Sequence, residues 1–517
     1  IPGGDSEAWS QAIEELNSWH WQKSFDPIKL LPVLDERARL LQKEFVKRLL
    51  AHRNPYTGLT YGEDPQVLYM EIVNESSLEY ALICNNQFPA YFEEKLQAAW
   101  RNFAKEKGIV EPGNFREINN SDMVKLRSRF FLEYEKAYFA DMKDFAVKLS
   151  PDIKITCSNL WRGEDALELN LEVGDVVEDH FYVHPLVVGE TGAWPDVIAK
   201  TLVEGRPYFA GEFNFSENAD IMREFAYARP MLMLAAAAYG SFHDIDGIAW
   251  YAYNHGDTKS GTGGVVTEER RVPALGDMAT DGVAMDHMAT CAAIFRNICV
   301  KPSVSPVIRE IQIPVAAGGY HQLMNERNPL PQGAMAKRSY RKRLTRLEVK
   351  PVKIEPEAGD NSRLVSDTGE IIQDINRKQL SVVSARSEAF SGFLDENFPQ
   401  HFSHLKCSDS HGFATVIAVA ADDMSLDKSE RILVSRTWMD EAGTDIKGLD
   451  VSFGKLKSEK NGEWKMRVIR PKTAAEVLVD LVGSDAVPVE SKNGIVKLPP
   501  GTWTQIELIY MARQAGQ

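Results

Sequence analysis

The chain has 517 residues, of which 44% are hydrophobic and 26% are charged, and it carries a formal net charge of −15 at pH 7. This length accommodates two or three domains, one of which can be as large as a barrel. The acidic balance argues against a general nucleic-acid binder, because phosphate binding requires a surplus of Lys and Arg. No stretch approaches about 18 apolar residues, so the sequence predicts no membrane span.

Patterns typical of metal, cofactor or targeting segments do not occur in the sequence. The five cysteines are scattered, without a CxxC pair or the Cys/His spacing of a zinc site. There is no Gly-rich phosphate loop, and we therefore predict no metal or other cofactor. No basic and then apolar signal peptide opens the chain, and the cysteines do not indicate a compartment.

In the first 300 residues, predicted helices alternate with apolar strands. The periodicity indicates helices over 33–50, 91–107, 124–149, 194–203 and 221–239, and strands over 67–73, 153–159, 176–183, 208–213 and 247–253. The aromatic stripe of the third helix is predicted to lie in the core. Apolar strands separated by helices indicate parallel pairing with both faces covered. The predicted fold class is α/β, a (β/α)₈ TIM barrel over residues 1–310.

From about residue 302, short β-rich runs separated by Gly, Asp, Asn and Pro replace this alternation. The runs predicted as strands are 307–314, 380–385, 414–420, 431–435, 463–470, 475–482 and 502–510. We predict that residues 311–517 form an accessory β-rich domain of β-sandwich type.

Two of the predicted strands in the first region end in a glutamate among small or polar residues. Glu75 closes the run Val67-Leu-Tyr-Met-Glu-Ile-Val-Asn-Glu, and Glu212 lies in Pro207-Tyr-Phe-Ala-Gly-Glu-Phe-Asn. A carboxylate at the tip of a buried strand is costly unless it is paired or takes part in chemistry. The residues alone fit either buried ion pairs or two carboxylates that flank a glycosidic bond.

The order of these strand ends resembles that of clan A glycoside hydrolases, similar to family 5-like enzymes. Those enzymes are retaining (β/α)₈ barrels, with the acid/base at the end of strand 4 and the nucleophile at the end of strand 7. Two predicted strands separate Glu75 from Glu212 and one follows, which agrees with strands 5, 6 and 8. The resemblance implies that 1–310 is the catalytic region, with Glu75 as acid/base and Glu212 as nucleophile.

The resemblance also implies a set of substrate-binding residues. Asn74 resembles the clan's asparagine that binds the sugar 2-hydroxyl, although a strand-end cap also fits it. His180 and Tyr182 resemble the strand-6 His/Tyr pair, in which the tyrosine holds the nucleophile, and Trp250 resembles the tryptophan beneath the −1 sugar. Alternatively, these three residues are part of the hydrophobic core and do not bind substrate. Further strand-end residues that could line subsites are Asn159, Trp161, Asn214, Tyr253 and His255.

One feature departs from the clan's pattern. Residues 1–66 contain one good helix and no convincing strand, although strands 1 to 3 should precede Glu75. The clan's strand-2 arginine is missing with them. We therefore expect another chain, a second copy in a homo-oligomer, or an N-terminal segment to complete the barrel.

The sequence thus predicts a retaining β-glycoside hydrolase that cleaves a β-linked oligo- or polysaccharide through a covalent glycosyl-enzyme intermediate. Enzymes of β-galactosidase, β-mannosidase and β-glucosidase type share these strand ends. The alternative is a carbohydrate-binding or assembly subunit that keeps the pocket without turnover. The predicted partner is a carbohydrate substrate and not nucleic acid, and the resemblance favours a secreted or periplasmic location.

Overall fold

The structure is a computed structural model. It describes residues 6–19, 27–83, 88–159, 165–183, 198–199, 201–215, 228–252, 278, 282–296, 299–312, 333–346, 362–395, 398, 401–409, 411–440, 446–447, 449, 451–458, 462–468, 486–492, 495–498 and 505–512. Within these ranges, no helix is both long enough and apolar enough to span a membrane.

The first part of the chain alternates helices with parallel strands, as the periodicity predicts. Its helices are α1 (Ser6–Trp19), α2 (Leu31–Leu34), α3 (Glu36–Ala51), α4 (Leu78–Ile83), α5 (Ala90–Glu106), α6 (Ser121–Leu149), α7 (Asp165–Glu172), α8 (Ala228–His243) and α9 (Gly282–Arg296), with a 3₁₀ turn over Pro27–Leu30. Its strands are β1 (Tyr69–Glu71), β2 (Lys154–Thr156), β3 (Val177–Val183), β4 (Tyr208–Phe215) and β5 (Gly247–Trp250).

These five strands lie side by side in chain order. β1 pairs in parallel with β2, and β3, β4 and β5 form a second parallel group. The carbonyl of Ile155 in β2 accepts hydrogen bonds from the backbone N–H groups of Asp175 and Val176, at 2.7 and 3.3 Å, just before β3 begins. The two groups are therefore adjacent, and their order is that of one side of a (β/α)₈ barrel.

The sequence predictions hold for element type more closely than for bounds. Helices 91–107 and 124–149 are confirmed as α5 and α6, and the stripe of α6 is core, with Phe131 and Tyr138 fully buried. The strand predicted over 67–73 is shorter, since only its middle residues pair with β2. Half of the predicted helix 194–203, the start of the helix 221–239 and the strand 475–482 lie outside the described residues.

The described part of the chain has no strand before Tyr69. Within it, β1 pairs with β2 alone and β5 pairs with β4 alone. Both outer strands of this parallel group are only partly buried, with Ala249 of β5 exposed. Each therefore carries an edge that no described strand covers.

The C-terminal part is β-rich. It contains β6 (Val307–Gln312), α10 (Ala334–Lys337), β7 (Tyr340–Thr345), β8 (Arg363–Val365), β9 (Ile371–Asp374), β10 (Gln379–Val383), β11 (Ser387–Phe393), β12 (Leu405–Cys407), β13 (Phe413–Ala420), β14 (Arg431–Met439), β15 (Ile446–Lys447), β16 (Val451–Phe453), β17 (Gly462–Val468), β18 (Val487–Pro488), β19 (Glu490–Lys492), β20 (Ile495–Lys497) and β21 (Gln505–Ala512).

Two antiparallel sheets make up most of this part. The larger has the order β18-β17-β21-β14-β13-β11-β10-β9-β8, with β15 added to β14, and the smaller has the order β12-β16-β20-β19. Apolar residues of both sheets form one core, whereas α8 and α9 share another core with the opposite face of the larger sheet. All eight residues of the central strand β13 are buried accordingly. This sandwich-like arrangement is consistent with the predicted accessory domain.

The predicted boundary at residue 310 falls inside β6. This strand pairs in parallel with β7 and not with the large sheet. The backbone of Lys342 in β7 exchanges hydrogen bonds of 2.8 and 2.9 Å with Leu202 and Glu204, ahead of β4. The β6–β7 pair therefore attaches to the parallel-stranded part.

Candidate active site

The turn after β1 places Glu75 at the C-terminal end of the parallel strands. Beyond the last paired residue, the N–H of Val73 still donates to the carbonyl of Cys157 at 3.2 Å. Glu75 then adopts a φ of +51°, a left-handed conformation that costs a non-glycine residue roughly 1–3 kcal/mol. This local reversal turns the Glu75 side chain away from the strand direction.

Hydrogen bonds to neighbouring elements keep this turn in place. The N–H of Ser76 donates to Oγ of Ser158 at 3.0 Å, and the N–H of Leu78 donates to Oε1 of Glu135 at 2.9 Å. Ser76, Ser158 and Glu135 are all buried. The strained conformation at Glu75 is thus supported by contacts with the chain after β2 and with α6.

A β-bulge in β4 sets the direction of Glu212. On the β3 side, Asp179 pairs with Ala210 but His180 already pairs with Glu212, so Gly211 is an extra residue. The register with β5 shifts in the same stretch of β4. Bulges beside functional sites re-aim the side chains that follow them. Here the residue that follows is Glu212.

His180 lies between the two glutamates. Its Nδ1 is 3.0 Å from Oε1 of Glu75 and 3.4 Å from Oε2 of Glu212. These three side-chain atoms all lie within 4.8 Å of one another. The imidazole is 2% exposed, and both carboxylates are partly accessible. The structure therefore brings together three of the residues that the sequence singles out, although 105 residues separate Glu75 from His180.

Tyr182 and Lys29 contact the same pair of carboxylates. The hydroxyl of Tyr182 donates a hydrogen bond to Oε2 of Glu212. Burial and this bond raise the pKa of Tyr182 well above its usual value, so the hydroxyl remains a donor. Nζ of Lys29, in the 3₁₀ turn, is 3.9 Å from Oε2 of Glu75. No sequence pattern marks Lys29, because only the fold brings that turn to the strand ends.

Asn159 lies behind Asn74. The Asn159 side chain is fully buried, and its Nδ2 donates to Oδ1 of Asn74 and to Oε1 of Glu71, each at 2.9 Å. Asn74 itself is exposed. These contacts favour a supporting role for Asn159 and leave Asn74 as the amide that faces solvent beside Glu75.

The two aromatic residues at the end of β5 have different environments. The ring of Trp250 is packed edge-on against Phe213, with 5.4 Å between centroids, and lies partly in the core. Tyr251 is 37% exposed, and its ring is edge-on to Tyr182 at 6.1 Å. The carbonyl of Tyr251 also accepts a hydrogen bond from Nδ2 of Asn214. The exposed aromatic ring next to the glutamate pair is therefore Tyr251; Trp161, Tyr253 and His255 lie outside the described residues.

Two further glutamates, Glu71 and Glu178, lie on the inner side of His180. Oε1 of Glu178 is 3.6 Å from Nε2 of His180, and the ligand atoms of Glu71, Glu178 and His180 lie within 4.8 Å of one another. The sequence reasoning did not include this pair. Strand alternation could have found Glu178, because residues 178, 180 and 182 of β3 share one face.

Burial and mutual repulsion change the proton affinity of this inner group. Burial and the charge of Glu178 raise the pKa of Glu71 to about 8, although hydrogen bonds from Asn159 oppose the rise. Burial alone would lower the pKa of His180, but Glu178, Glu75, Glu212 and Glu71 together raise it to about 10. At neutral pH, Glu71 is therefore a neutral carboxyl group and His180 is an imidazolium.

Two sets of side chains have ligand atoms close enough to surround a cation: Glu71, Glu178 and His180, and Glu75, His180 and Glu212. However, each group includes His180, and an imidazolium has protons on both nitrogens and no lone pair for a metal. The arrangement fits a hydrogen-bonded and ion-paired cluster instead. We refer to Glu71, Glu75, Glu178, His180 and Glu212 as the His180 cluster.

Comparisons with known proteins give only distant structural similarities. No protein-family model and no curated protein matches the chain. Among solved structures, an endo-1,4-beta-mannanase from Rhizomucor miehei has 12% identity and a TM-score of 0.27, over 51% of this chain and 64% of its own. An endo-beta-1,4-mannanase from Thermotoga petrophila has 13% identity and a TM-score of 0.31, over 89% and 85%.

A GH42 beta-galactosidase from G. stearothermophilus has 11% identity and a TM-score of 0.33, over 92% of this chain and 81% of its own. All three similar structures are thus glycoside hydrolases by name. The chain spans less than two thirds of the R. miehei mannanase. Because the TM-scores are low, we base no argument about the site on these similarities.

The raised pKa of Glu71 predicts a specific pH dependence of stability. In the unfolded chain this carboxyl ionises near pH 4.5 and in the folded chain near pH 8, so its contribution is greatest below 4.5 and is lost as the pH rises through 8. Glu71→Gln, which cannot ionise, should flatten the fall of the thermal midpoint between pH 5 and 9. One pKa unit corresponds to about 1.4 kcal/mol. We therefore expect the loss of unfolding free energy between pH 5 and 9 to be smaller in the variant than in the wild type by more than about 1 kcal/mol.

Glu388→Gln is a matched control for this measurement. Glu388 is a buried strand glutamate in β11 and accepts hydrogen bonds from the backbone of 403–405. Its replacement should lower the midpoint without flattening the pH dependence. If the thermal midpoint of Glu71→Gln falls with pH as steeply as that of the wild type, the assignment of a neutral Glu71 is contradicted.

Proposed function

We propose that the chain is a retaining β-glycoside hydrolase in which Glu212 is the nucleophile and Glu75 is the acid/base. The observation that carries this proposal is the approach of Glu75 and Glu212 to one imidazole nitrogen, with oxygens within 4.8 Å of each other. Retaining enzymes place their two carboxyl groups about 5–5.5 Å apart, whereas inverting enzymes need about 6.5–9.5 Å to admit a water molecule. The short spacing supports the retaining alternative.

The two glutamates have different contacts. Glu212 accepts a hydrogen bond from Tyr182 and lies near Nδ1 of His180, contacts that suit a carboxylate that attacks the anomeric carbon. Glu75 lies beside Glu212 and near Nζ of Lys29, and in the proposed mechanism it carries the proton for the leaving group in the resting state. The negative charge of Glu212 acts in favour of this protonated form, and the nearby charges of Lys29 and His180 act against it.

The reaction then proceeds in two displacements. A carboxylate oxygen of Glu212 bonds to the anomeric carbon while the glycosidic C–O bond breaks, and the leaving oxygen takes the proton of Glu75. Ionised Glu75 next accepts a proton from water, whose oxygen attacks the anomeric carbon and releases Glu212. Both carboxyl groups return to their initial protonation states.

The sugar in this proposal binds between Asn74 and Tyr251. The exposed amide of Asn74 is placed to bond a ring hydroxyl, and the exposed ring of Tyr251 offers a surface for the C–H face of a sugar. Trp250 would contribute from below, through its packing against Phe213. The substrate class is a β-linked oligo- or polysaccharide, with galactosides, mannosides and glucosides as candidates.

We also propose that additional strands, from another chain or a further segment, complete the barrel. The outer strands β1 and β5 each have a single partner in the described part of the chain. Uncovered edges of parallel strands are unfavourable in solution, because their backbone groups stay unpaired. The same observation favours the second candidate function, a carbohydrate-binding or assembly subunit that becomes active only in a complex.

Two measurements on the natural protein test these alternatives. The first is hydrolysis of a panel of nitrophenyl β-glycosides, and the second is the mass of the protein by light scattering. We expect at least one glycoside to be hydrolysed, and NMR of the first product to find the β-anomer. A first-formed α-anomer would contradict the retaining mechanism. Oligosaccharide binding without hydrolysis, by a protein of correct mass and fold, would favour the binding subunit.

A further inference from the structure

Within the described part of the chain, the ion pairs of His180 are all with carboxylates. Glu75 and Glu212 face its Nδ1, and Glu178 faces its Nε2. Glu71 lies beside Glu178, and Tyr182 reaches the cluster through Glu212. Among the described residues, Lys29 is a further cation at this cluster, with its Nζ 3.9 Å from Oε2 of Glu75.

This environment favours protons on both ring nitrogens. A neutral imidazole has a lone pair on one nitrogen, and here either lone pair would point at a carboxylate oxygen. The ring is 2% exposed, so water cannot separate these charges. In the charged form, both N–H groups point at negative groups.

Glu178 is held in position on the inner side of this ring. It is 4% exposed, and its Oε2 has no hydrogen-bond donor within the described residues. A Cβ atom at Gly211 would lie only 1.8 Å from its Oε1, so the glycine of the β4 bulge makes room for this carboxylate. Burial and the neighbouring Glu178 also raise the pKa of Tyr69 far above its usual value.

We propose that Glu178 is a positioning residue that keeps His180 as an imidazolium, with its Nδ1–H directed at the two outer carboxylates. This inference rests on the proposed function in taking Glu75 and Glu212 as the reacting groups. The Nδ1 atom is 3.0 and 3.4 Å from their oxygens. One fixed N–H can therefore stabilise Glu212 before the first displacement and Glu75 after it, because the negative charge moves between them.

Histidine-selective NMR of the intact protein tests the proposal without reference to activity. The signal of His180 is assigned by its loss in His180→Gln, and its titration is then followed from pH 5 to 10. In the wild type we expect His180 to remain charged at pH 8. In Glu178→Gln the midpoint should fall by at least about one pH unit, since a buried partner charge has been removed.

Two further variants separate the role of this carboxylate from a general loss of packing. Asp179→Asn removes a buried carboxylate from the adjacent position of β3. This carboxylate accepts hydrogen bonds from Thr201 and from the backbone N–H of His180, not from its ring, so the variant should leave the midpoint unchanged. Glu178→Asp retains the charge and should keep the midpoint raised. If Glu178→Gln does not fold, a wild-type His180 that titrates near the usual 6.5 still overturns the proposal.

A kinetic measurement distinguishes failure of this inference from failure of the proposed function. In an active protein, the alkaline limb of kcat/KM should move to lower pH in Glu178→Gln and stay in place in Asp179→Asn. An unchanged alkaline limb with an unchanged His180 midpoint would overturn the inference alone. Absence of hydrolysis together with a Glu178-dependent midpoint would instead overturn the proposed function and retain the positioning role.

Discussion

Glu212→Gln is expected to reduce kcat/KM for aryl β-glycosides by roughly 10⁴-fold or more, because an amide cannot form the glycosyl ester. Gln is nearly isosteric with Glu and can still accept the hydrogen bond from Tyr182, so substrate binding and the fold should be retained. The measurement is the initial rate of aryl release, together with the unfolding midpoint. Mass spectrometry of quenched wild type should find a protein with one added glycosyl unit, which the variant lacks.

Glu204→Gln is the matched control for this prediction. Glu204 lies eight residues before Glu212, is exposed and pairs with Arg343, so the same chemical change there should leave the rate within about twofold of the wild type. Retained hydrolysis in Glu212→Gln would show that another group attacks the sugar, and the nucleophile assignment would then be wrong.

Glu75→Gln should have an effect that depends on the leaving group. For alkyl or sugar leaving groups, which need a proton as they depart, we expect a loss of about 10²–10⁴-fold in kcat/KM. For dinitrophenyl glycosides the first displacement should be nearly normal, because dinitrophenolate leaves without protonation. Hydrolysis of the intermediate should then limit the rate, since no base activates water.

Azide provides an independent check on Glu75. As an anion it needs no general base, so it should accelerate turnover of the dinitrophenyl substrate by Glu75→Ala and form a β-glycosyl azide. Glu63→Gln is the control, because Glu63 is exposed in the turn before β1 and bonds only to Thr60 in the contacts described. If kcat/KM falls equally for substrates with good and poor leaving groups, and azide has no effect, Glu75 has a structural role.

The His180 cluster gives these predictions a common electrostatic basis. Four carboxyl groups surround one buried imidazole, and repulsion among them is relieved in two ways: Glu71 takes up a proton, and His180 is charged. The outer pair, Glu75 and Glu212, is partly accessible for chemistry, whereas Glu178 of the inner pair is buried and Glu71 is partly buried. Removing one inner carboxylate should therefore alter pH dependence more than substrate binding.

The positions of the outer glutamates could be predicted from the sequence because apolar strands are recognisable and their ends are marked by polar residues. The inner pair was harder to predict. Glu71 and Glu178 occur within apolar strands, where a carboxylate has no evident partner in the linear sequence. Strand alternation could place Glu178 on the face of His180, but only the pairing of β1, β2 and β3 brings Glu71 to the same ring.

Local periodicity and the order of strand ends thus determined the alternating helices and strands, the β-rich C-terminal part and the candidate pair Glu75 and Glu212. The tertiary structure decided what depends on contacts distant in sequence. The bulge at Gly211 directs Glu212, the turn at Glu75 is held by Ser158 and Glu135, and Tyr251 rather than Trp250 is exposed beside Tyr182. Register, burial and charge compensation are properties of packed neighbours, and a linear pattern specifies none of them.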